Sequence, residues 1–159
     1  MPRKTTTSLQ RKVNPDRKYQ SILVQRLINK SILDGKKQVA ERAVYAAIEG
    51  AAKKLKSENP VEVLEKAIAN VSPDFEVKSR RVGGANYQIP FPISGHRQQH
   101  FAFSWLVQAA RARSGMAYAK RLELEIVDAY NEAGAAFKKK EDCHRMAEAN
   151  RAFAHFARA

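Results

Sequence analysis

The chain has 159 residues, of which 44% are hydrophobic, and its 29 Lys and Arg residues against 16 Asp and Glu residues give a formal net charge of +13. This composition fits a single folded domain and excludes a disordered chain, while the charge favours a polyanionic partner: a nucleic acid, an anionic membrane surface or an acidic protein. No run approaches the roughly 18 consecutive apolar residues of a membrane-spanning helix, so no membrane partner is expected, and the single Cys143 excludes an internal disulfide.

Residues 1–18 are predicted to form a basic flexible tail. Six cations stand here against one acid, Asp16, and no apolar periodicity is present. Such a segment stays flexible until a polyanion orders it. It lacks the apolar core of a secretory signal, although its basic residues leave an organellar transit peptide open. Its candidate contacts to a nucleic acid are Arg3, Lys4, Arg11 and Lys12.

Three helices are predicted next. Apolar residues at helical spacing favour a first helix over residues 19–33, which Gly35 stops, and a second helix carries its apolar face from Val39 to Leu55. Asn59 and Pro60 are typical of a helix start, with Asn as the cap and Pro in the first turn. Pro73 ends this third helix.

Between about residues 75 and 93 the apolar period changes from 3.6 to two, which predicts a β-hairpin with its tip at Gly83 and Gly84. Pro90 and Pro92 restrict the return strand to a sheet edge. Because an isolated hairpin is only marginally stable, we expect its apolar base to pack on the helices and its tip to project.

Helical spacing returns after Ser94. One helix has Phe101, Trp105, Leu106 and Ala109 on its predicted buried face, a second runs to Tyr130, and a last helix is predicted over residues 141–156, with an acidic start and a basic end that suit the helix dipole. The predicted fold is mainly α: a six-helix bundle in one domain, residues 19–159, with one protruding hairpin between the third and fourth helices.

The hairpin carries the strongest local signal for function. Arginine binds phosphate and stacks on bases, adjacent glycines allow close approach of a ligand, and a tyrosine offers a stacking ring. A plain turn with a solvated edge explains the same residues equally well, and the net charge favours nucleic acid. The candidate contacts are Lys78, Arg80, Arg81, Gly83, Gly84, Asn86 and Tyr87.

Further cations are predicted to extend a basic surface over the helices. Two lysines at a helix start, where cations are disfavoured, are tolerable if a phosphate lies between them, although ordinary surface lysines explain them as well. Two of the arginines, fourteen residues apart, share roughly one helix face. These candidates are Lys36, Lys37, Arg97, Arg111, Arg113, Lys138 and Lys139.

Catalysis finds little support in the sequence. Cys143 and His144 are adjacent, so they do not face each other on a helix, and a metal site at His96 and His100 lacks a third ligand. No phosphate-binding loop or dinucleotide fingerprint is present. We therefore expect neither an enzyme nor a bound cofactor or metal.

Several separated segments carry a resemblance to a known family. The hairpin sequence at residues 77–90 (VKSRRVGGANYQIP), the closing segment at 139–156 (KKEDCHRMAEANRAFAHF), and the segments at 29–37 (NKSILDGKK) and 105–107 (WLV) resemble ribosomal protein seven of the bacterial-type small subunit. The resemblance extends from about residue 15 over nearly the whole chain. Ser104 and much of the first fifteen residues depart from the family pattern.

The resemblance implies a structural protein of the small ribosomal subunit. Such a protein binds the 3′ major domain of small-subunit ribosomal RNA and nucleates assembly of the head. Its hairpin lies at the subunit interface near the exit-site transfer RNA and the messenger RNA exit path, and its neighbours are small-subunit proteins nine and eleven. By position, the hairpin end would face RNA, and Lys36, Lys37 and the tail would hold ribosomal RNA. A cytoplasmic ribosome is expected, with an organellar ribosome left open.

Two other classes compete with this interpretation. A helical DNA-architectural protein would share the charge and the β arm, and it would bind duplex DNA as well as folded RNA at equal salt. An enzyme acting on RNA would need a metal or an acid–base pair, for which the sequence gives no support.

Overall fold

A computed structural model describes residues 13–157. The described residues form six α-helices, one antiparallel hairpin between the third and fourth helices, and a closing 3-10 segment, which confirms the predicted mainly α fold. The elements in chain order are α1 (Ile22–Ser31), α2 (Lys37–Leu55), α3 (Pro60–Val71), β1 (Phe75–Val82), β2 (Ala85–Pro92), α4 (Gly95–Ala112), α5 (Tyr118–Tyr130), α6 (Gly134–Ala149) and the 3-10 segment (Arg151–Ala157).

The core lies around α5, which packs against α2, α3, α4 and α6. Val44 and Ile48 of α2 and Leu122 and Ile126 of α5 are fully buried. Burial of each such side chain stabilises the fold by about 1.5–3 kcal/mol before the loss of chain entropy is counted. The helical spacing of these residues in the sequence is therefore the direct cause of the bundle.

The face of α4 that enters the core differs from the predicted one. Phe103, Leu106 and Val107 are buried, whereas Phe101 and Trp105 are half-buried at the edge of the core. The rings of Phe101 and Trp105 lie 5.4 Å apart and cover each other. Leu106 and Ala109 are buried as predicted, so the prediction was wrong only for the two large aromatic residues.

The predicted start of the last helix, at residue 141, is wrong, because α6 begins seven residues earlier at Gly134. The carboxylate of Glu125, which belongs to α5, accepts a hydrogen bond from the Ala136 N–H at 2.9 Å and so supplies the missing cap. Gly134, the first residue of α6, has a φ of +88°. Helix α6 has no acid in its first turn and no base in its last, so the predicted acidic start and basic end are also wrong.

The hairpin pairs Phe75 with Pro92, Val77 with Pro90 and Val82 with Ala85. Gly83 and Gly84 both have positive φ, as a two-residue type I′ turn requires. Strand β1 packs on α6 and β2 packs on the 3-10 segment, and Ile89 is fully buried. The hairpin is thus anchored at its base.

Candidate nucleic-acid interface

The turn of the hairpin is exposed. Arg81, Gly83, Gly84 and Asn86 all present their surface to solvent, and a side chain placed on either glycine would meet no atom within 4 Å. No ion pair or hydrogen bond of the Arg81 guanidinium is formed within residues 13–157. The tip therefore offers a flat backbone surface beside a cation that remains available to an anion.

Lys78 and Arg97, by contrast, meet at the hairpin base around one carboxylate. Glu76 is only 6% exposed, and its two oxygens accept from Lys78 Nζ at 2.7 Å and from Arg97 Nη2 at 2.8 Å. Burial alone would raise the pKa of Glu76, but the two cations outweigh it and hold that pKa below its ordinary value. Arg97 thereby joins the base of the hairpin to the start of α4, whereas Lys78 pairs with Glu76 within the same strand.

Tyr87 and Arg80 contact the end of the chain. The Tyr87 ring lies 5.0 Å from the Phe153 ring and 5.7 Å from the Phe156 ring, and Arg80 Nη1 donates to the Phe156 carbonyl at 3.0 Å. We call Phe153 and Phe156 the C-terminal brace. The brace covers one side of the Tyr87 ring, which is the predicted stacking ring. Phenylalanines spaced three apart near the end of the chain were the only signal for it.

Arg113, at the end of α4, is held against α5 by two carboxylates. Its Nη2 contacts Glu125 Oε2 at 2.6 Å and Asp128 Oδ2 at 2.5 Å, and Glu125 is fully buried. Burial opposes the charge of Arg113, but the two carboxylates outweigh it and raise its pKa. The geometry gives Arg113 a structural role between α4 and α5.

Lys36 and Arg111 line one cavity at the corner between α1 and α2, whereas Lys37 lines another cavity on the far side of that corner. Arg111 Nη2 lies 3.4 Å from the Ser31 carbonyl, and neither Lys36 nor Arg111 forms an ion pair with a described residue. Helix α2 begins here without a side-chain cap and without an acid in its first turn. The corner is therefore a concentration of uncompensated positive charge.

Lys138 and Lys139 are exposed within α6, where Lys139 Nζ lies 3.4 Å from Gln108 Oε1. They lie on a helix and not in the connection that we had predicted before it. Arg3, Lys4, Arg11 and Lys12 lie outside the described residues, so their contacts stay a prediction.

The end of the predicted tail nearest the helices packs on the domain. Asp16 is 1% exposed and accepts from the backbone N–H groups of Tyr19 and Ser21 at 2.8 Å each, and from the Tyr45 hydroxyl at 3.1 Å. Burial would raise the pKa of Asp16, but these hydrogen bonds outweigh it and lower that pKa. Asp16 thus fixes the beginning of the described chain against α2 through Tyr45. In the sequence, Asp16 is only the single acid among the cations of residues 1–18, and nothing local predicts its burial.

The Cys143 and His144 pair serves local structure. Cys143 Sγ donates to the Phe75 carbonyl at 3.3 Å, and His144 Nε2 accepts from the Asp74 N–H at 3.0 Å. Burial raises the pKa of Cys143, which disfavours the thiolate that a nucleophile needs. Over residues 13–157, no three His, Cys, Asp or Glu side chains come close enough to hold a metal ion. In the same range, no helix combines the length and apolar character needed to cross a bilayer.

Comparison with known proteins identifies relatives over the whole length. The sequence model of the family described as ribosomal protein S7p/S5e matches residues 2–151. The small ribosomal subunit protein uS7 of Chloroflexus aggregans is 50% identical over 158 residues, covering 99% of each chain. Those of Dictyoglomus turgidum and a Hydrogenobaculum species are 51% and 53% identical, each covering 98% of this chain and 99% of its own. With these matches, the chain belongs to the S7p/S5e family of ribosomal proteins.

Proposed function

We propose that this protein is a primary RNA-binding component of the small ribosomal subunit, which binds the 3′ major domain of the ribosomal RNA and nucleates assembly of the head. Its relatives bear the name of a small-subunit protein, and family membership makes it a structural protein and not an enzyme. Its place of action is the ribosome, which in bacteria is cytoplasmic.

The division of the cations into two groups carries the proposal. Lys36, Lys37, Arg81, Arg111 and Lys138 form no ion pair within residues 13–157, whereas Lys78, Arg97 and Arg113 neutralise buried or half-buried carboxylates. Cations are disfavoured at a helix start, and a polyanionic partner would supply the counter-charge there and at the exposed turn. Several RNA helices that meet at these points would supply the phosphates.

The hairpin has a second proposed partner. Its exposed tip projects from the bundle, and its base is fixed by Glu76, Lys78 and Arg97, so the tip can reach a neighbouring molecule without losing its own position. We place this tip near the exit-site transfer RNA and the messenger RNA exit path. Small-subunit proteins nine and eleven are the proposed protein neighbours.

Binding to the isolated head domain of small-subunit ribosomal RNA tests the proposal. Unrelated folded RNA and duplex DNA of equal length serve as competitors over a salt series. We expect binding to the head domain to persist at moderate salt where both competitors fail. Equal binding of all three, lost together as salt rises, would make the protein a general polyanion binder and favour the DNA-architectural alternative.

A further inference from the structure

A cavity of about 410 Å³ opens between the α1–α2 corner and the connection from α4 to α5. Its volume lies within the range of roughly 300–1,000 Å³ that is usual for sites of small ligands. Leu33, Lys36 and Val39 line one side, and Arg111, Tyr118 and Arg121 line the other. The cavity therefore combines apolar and cationic walls.

The cationic wall is preorganised without a carboxylate. Arg121 Nη1 donates to the Arg113 carbonyl at 2.6 Å and to the Arg111 carbonyl at 3.3 Å, so main-chain oxygens fix its guanidinium. Among the described residues, Lys36, Arg111 and Arg121 form no ion pair, and the one acid that lines the cavity, Asp34, forms none either. Three positive charges against one negative charge suit a phosphodiester.

The apolar wall is unusually open. Leu33 and Val39 are 62% and 64% exposed, more than any other large hydrophobic side chain in residues 13–157. Opposite them, Tyr118 is held in place because its hydroxyl donates to Ser31 Oγ at 2.8 Å. Apolar surface that is exposed within a charged rim is typical of a binding site. A free anion would leave the apolar wall without a contact, and an apolar peptide would leave the cations without a counter-charge.

We propose that this cavity seats one unpaired nucleotide of the bound RNA, with its phosphate on Lys36, Arg111 and Arg121 and its base against Leu33 and Val39. This inference rests on the proposed function, because it takes RNA as the partner. It adds that the α1–α2 corner distinguishes an unstacked nucleotide from a regular helix. Regular A-form RNA keeps its bases stacked and would leave the apolar wall empty.

The test is the double substitution Leu33→Ala with Val39→Ala, measured as affinity for the head-domain RNA over a salt series. Both side chains are exposed, so the fold is retained, which the melting temperature checks. We expect about tenfold weaker binding with an unchanged salt slope, since contacts to a base release no counterions. Lys36→Gln is expected to lower the salt slope by about 0.7–0.9. Ile22→Ala, which removes a 48% exposed side chain outside the cavity, is the control.

Three outcomes decide the matter. Affinity of the double variant within twofold of the wild type would overturn the nucleotide site while leaving the proposed function intact. A wild-type protein that does not prefer head-domain RNA would remove the proposed function itself. A defect that arises only in the assembled subunit, and not with naked RNA, would assign the cavity to a protein neighbour and overturn the proposal.

Discussion

At the scale of single residues, buried carboxylates determine which cations stay available to a partner. Glu125 is fully buried and accepts from both Arg113 and the first turn of α6. Glu76 likewise accepts hydrogen bonds from Lys78 and Arg97 at the hairpin base. These acids pair with three of the predicted RNA contacts, because a buried carboxylate needs cations and hydrogen-bond donors around it.

Glu125→Gln is expected to lower the free energy of unfolding by about 1–3 kcal/mol, because it weakens buried hydrogen bonds while Arg113 keeps the half-exposed Asp128 as its partner. Urea unfolding followed by circular dichroism measures the change. The exposed Glu148, changed to Gln, provides a control that we expect to stay within about 0.5 kcal/mol of the wild type. An equal effect of both substitutions would mean that Glu125 is not a structural hub.

Asp16 predicts a specific dependence of stability on pH. Its pKa in the folded state lies below the ordinary value of 3.8, so its stabilising contribution is fully present above that value and is lost as pH falls through the lowered pKa. Asp16→Asn removes this contribution. The difference in unfolding free energy between wild type and variant should be constant from pH 7 to about pH 5 and shrink below pH 4. A difference that grew on acidification would contradict the hydrogen-bonding account.

At the scale of elements, the hairpin is supported at two places. Its base packs on α6, and the C-terminal brace holds the Tyr87 ring and the Arg80 side chain closer to the tip. The brace belongs to the final 3-10 segment, so the last described residues determine how the predicted RNA arm is presented. The hairpin is therefore an arm of set direction and not a freely hinged one.

Phe153→Ala is expected to loosen the upper half of the hairpin while leaving the helices unchanged. An aromatic pair contributes about 0.5–1.5 kcal/mol, so amide exchange near Tyr87 should accelerate on the order of fivefold. Hydrogen exchange monitored by NMR gives the measurement. Lys138→Ala is the control, since this exposed side chain of α6 contacts neither the brace nor the hairpin through an ion pair or ring contact within residues 13–157. Unchanged protection in the Phe153 variant would rule out the brace.

Local periodicity predicted the elements better than it predicted their ends. The hairpin and its Gly83–Gly84 turn followed from an alternation of two and a glycine pair, both of which are local signals. The start of α6 did not, because its cap is the Glu125 carboxylate of another helix. The roles of Arg97 and Arg113 were likewise hidden, since their partners lie 21 and 12 residues away in the chain.

At the scale of the whole molecule, the predicted RNA contacts that form no ion pair within residues 13–157 lie at separate points: the α1–α2 corner, the hairpin tip and the exposed face of α6. The proposed nucleation of assembly requires such separation, because several RNA helices would have to be held at once. The hairpin tip differs from the other points in its projection. Its removal should therefore affect a neighbour of the subunit more than assembly of the head.

Arg81→Ala tests whether the hairpin tip serves a neighbour of the subunit more than it serves head assembly. We expect head assembly, followed by sedimentation of reconstituted subunits, to remain within twofold of the wild type, because the charge at the other points is intact. Retention of deacylated transfer RNA in the exit site should change. Failure of head assembly in this variant would place Arg81 on ribosomal RNA and contradict the assignment of the tip to transfer RNA.

The most direct test of the account compares two triple variants that lose the same charge. One changes Lys36, Arg81 and Lys138 to Gln. These three cations form no ion pair within residues 13–157. The other changes Lys18, Lys54 and Arg145 to Gln, which contact Glu49, Glu123 and Asp142. Affinity for head-domain RNA is measured over a salt series. We expect the first variant to lower the slope of log affinity against log salt by about 2–3, at roughly 0.7–0.9 for each lost phosphate contact. The second variant should leave this slope nearly unchanged. Equal losses in both variants would mean that net charge alone, and not this arrangement of cations, binds the RNA.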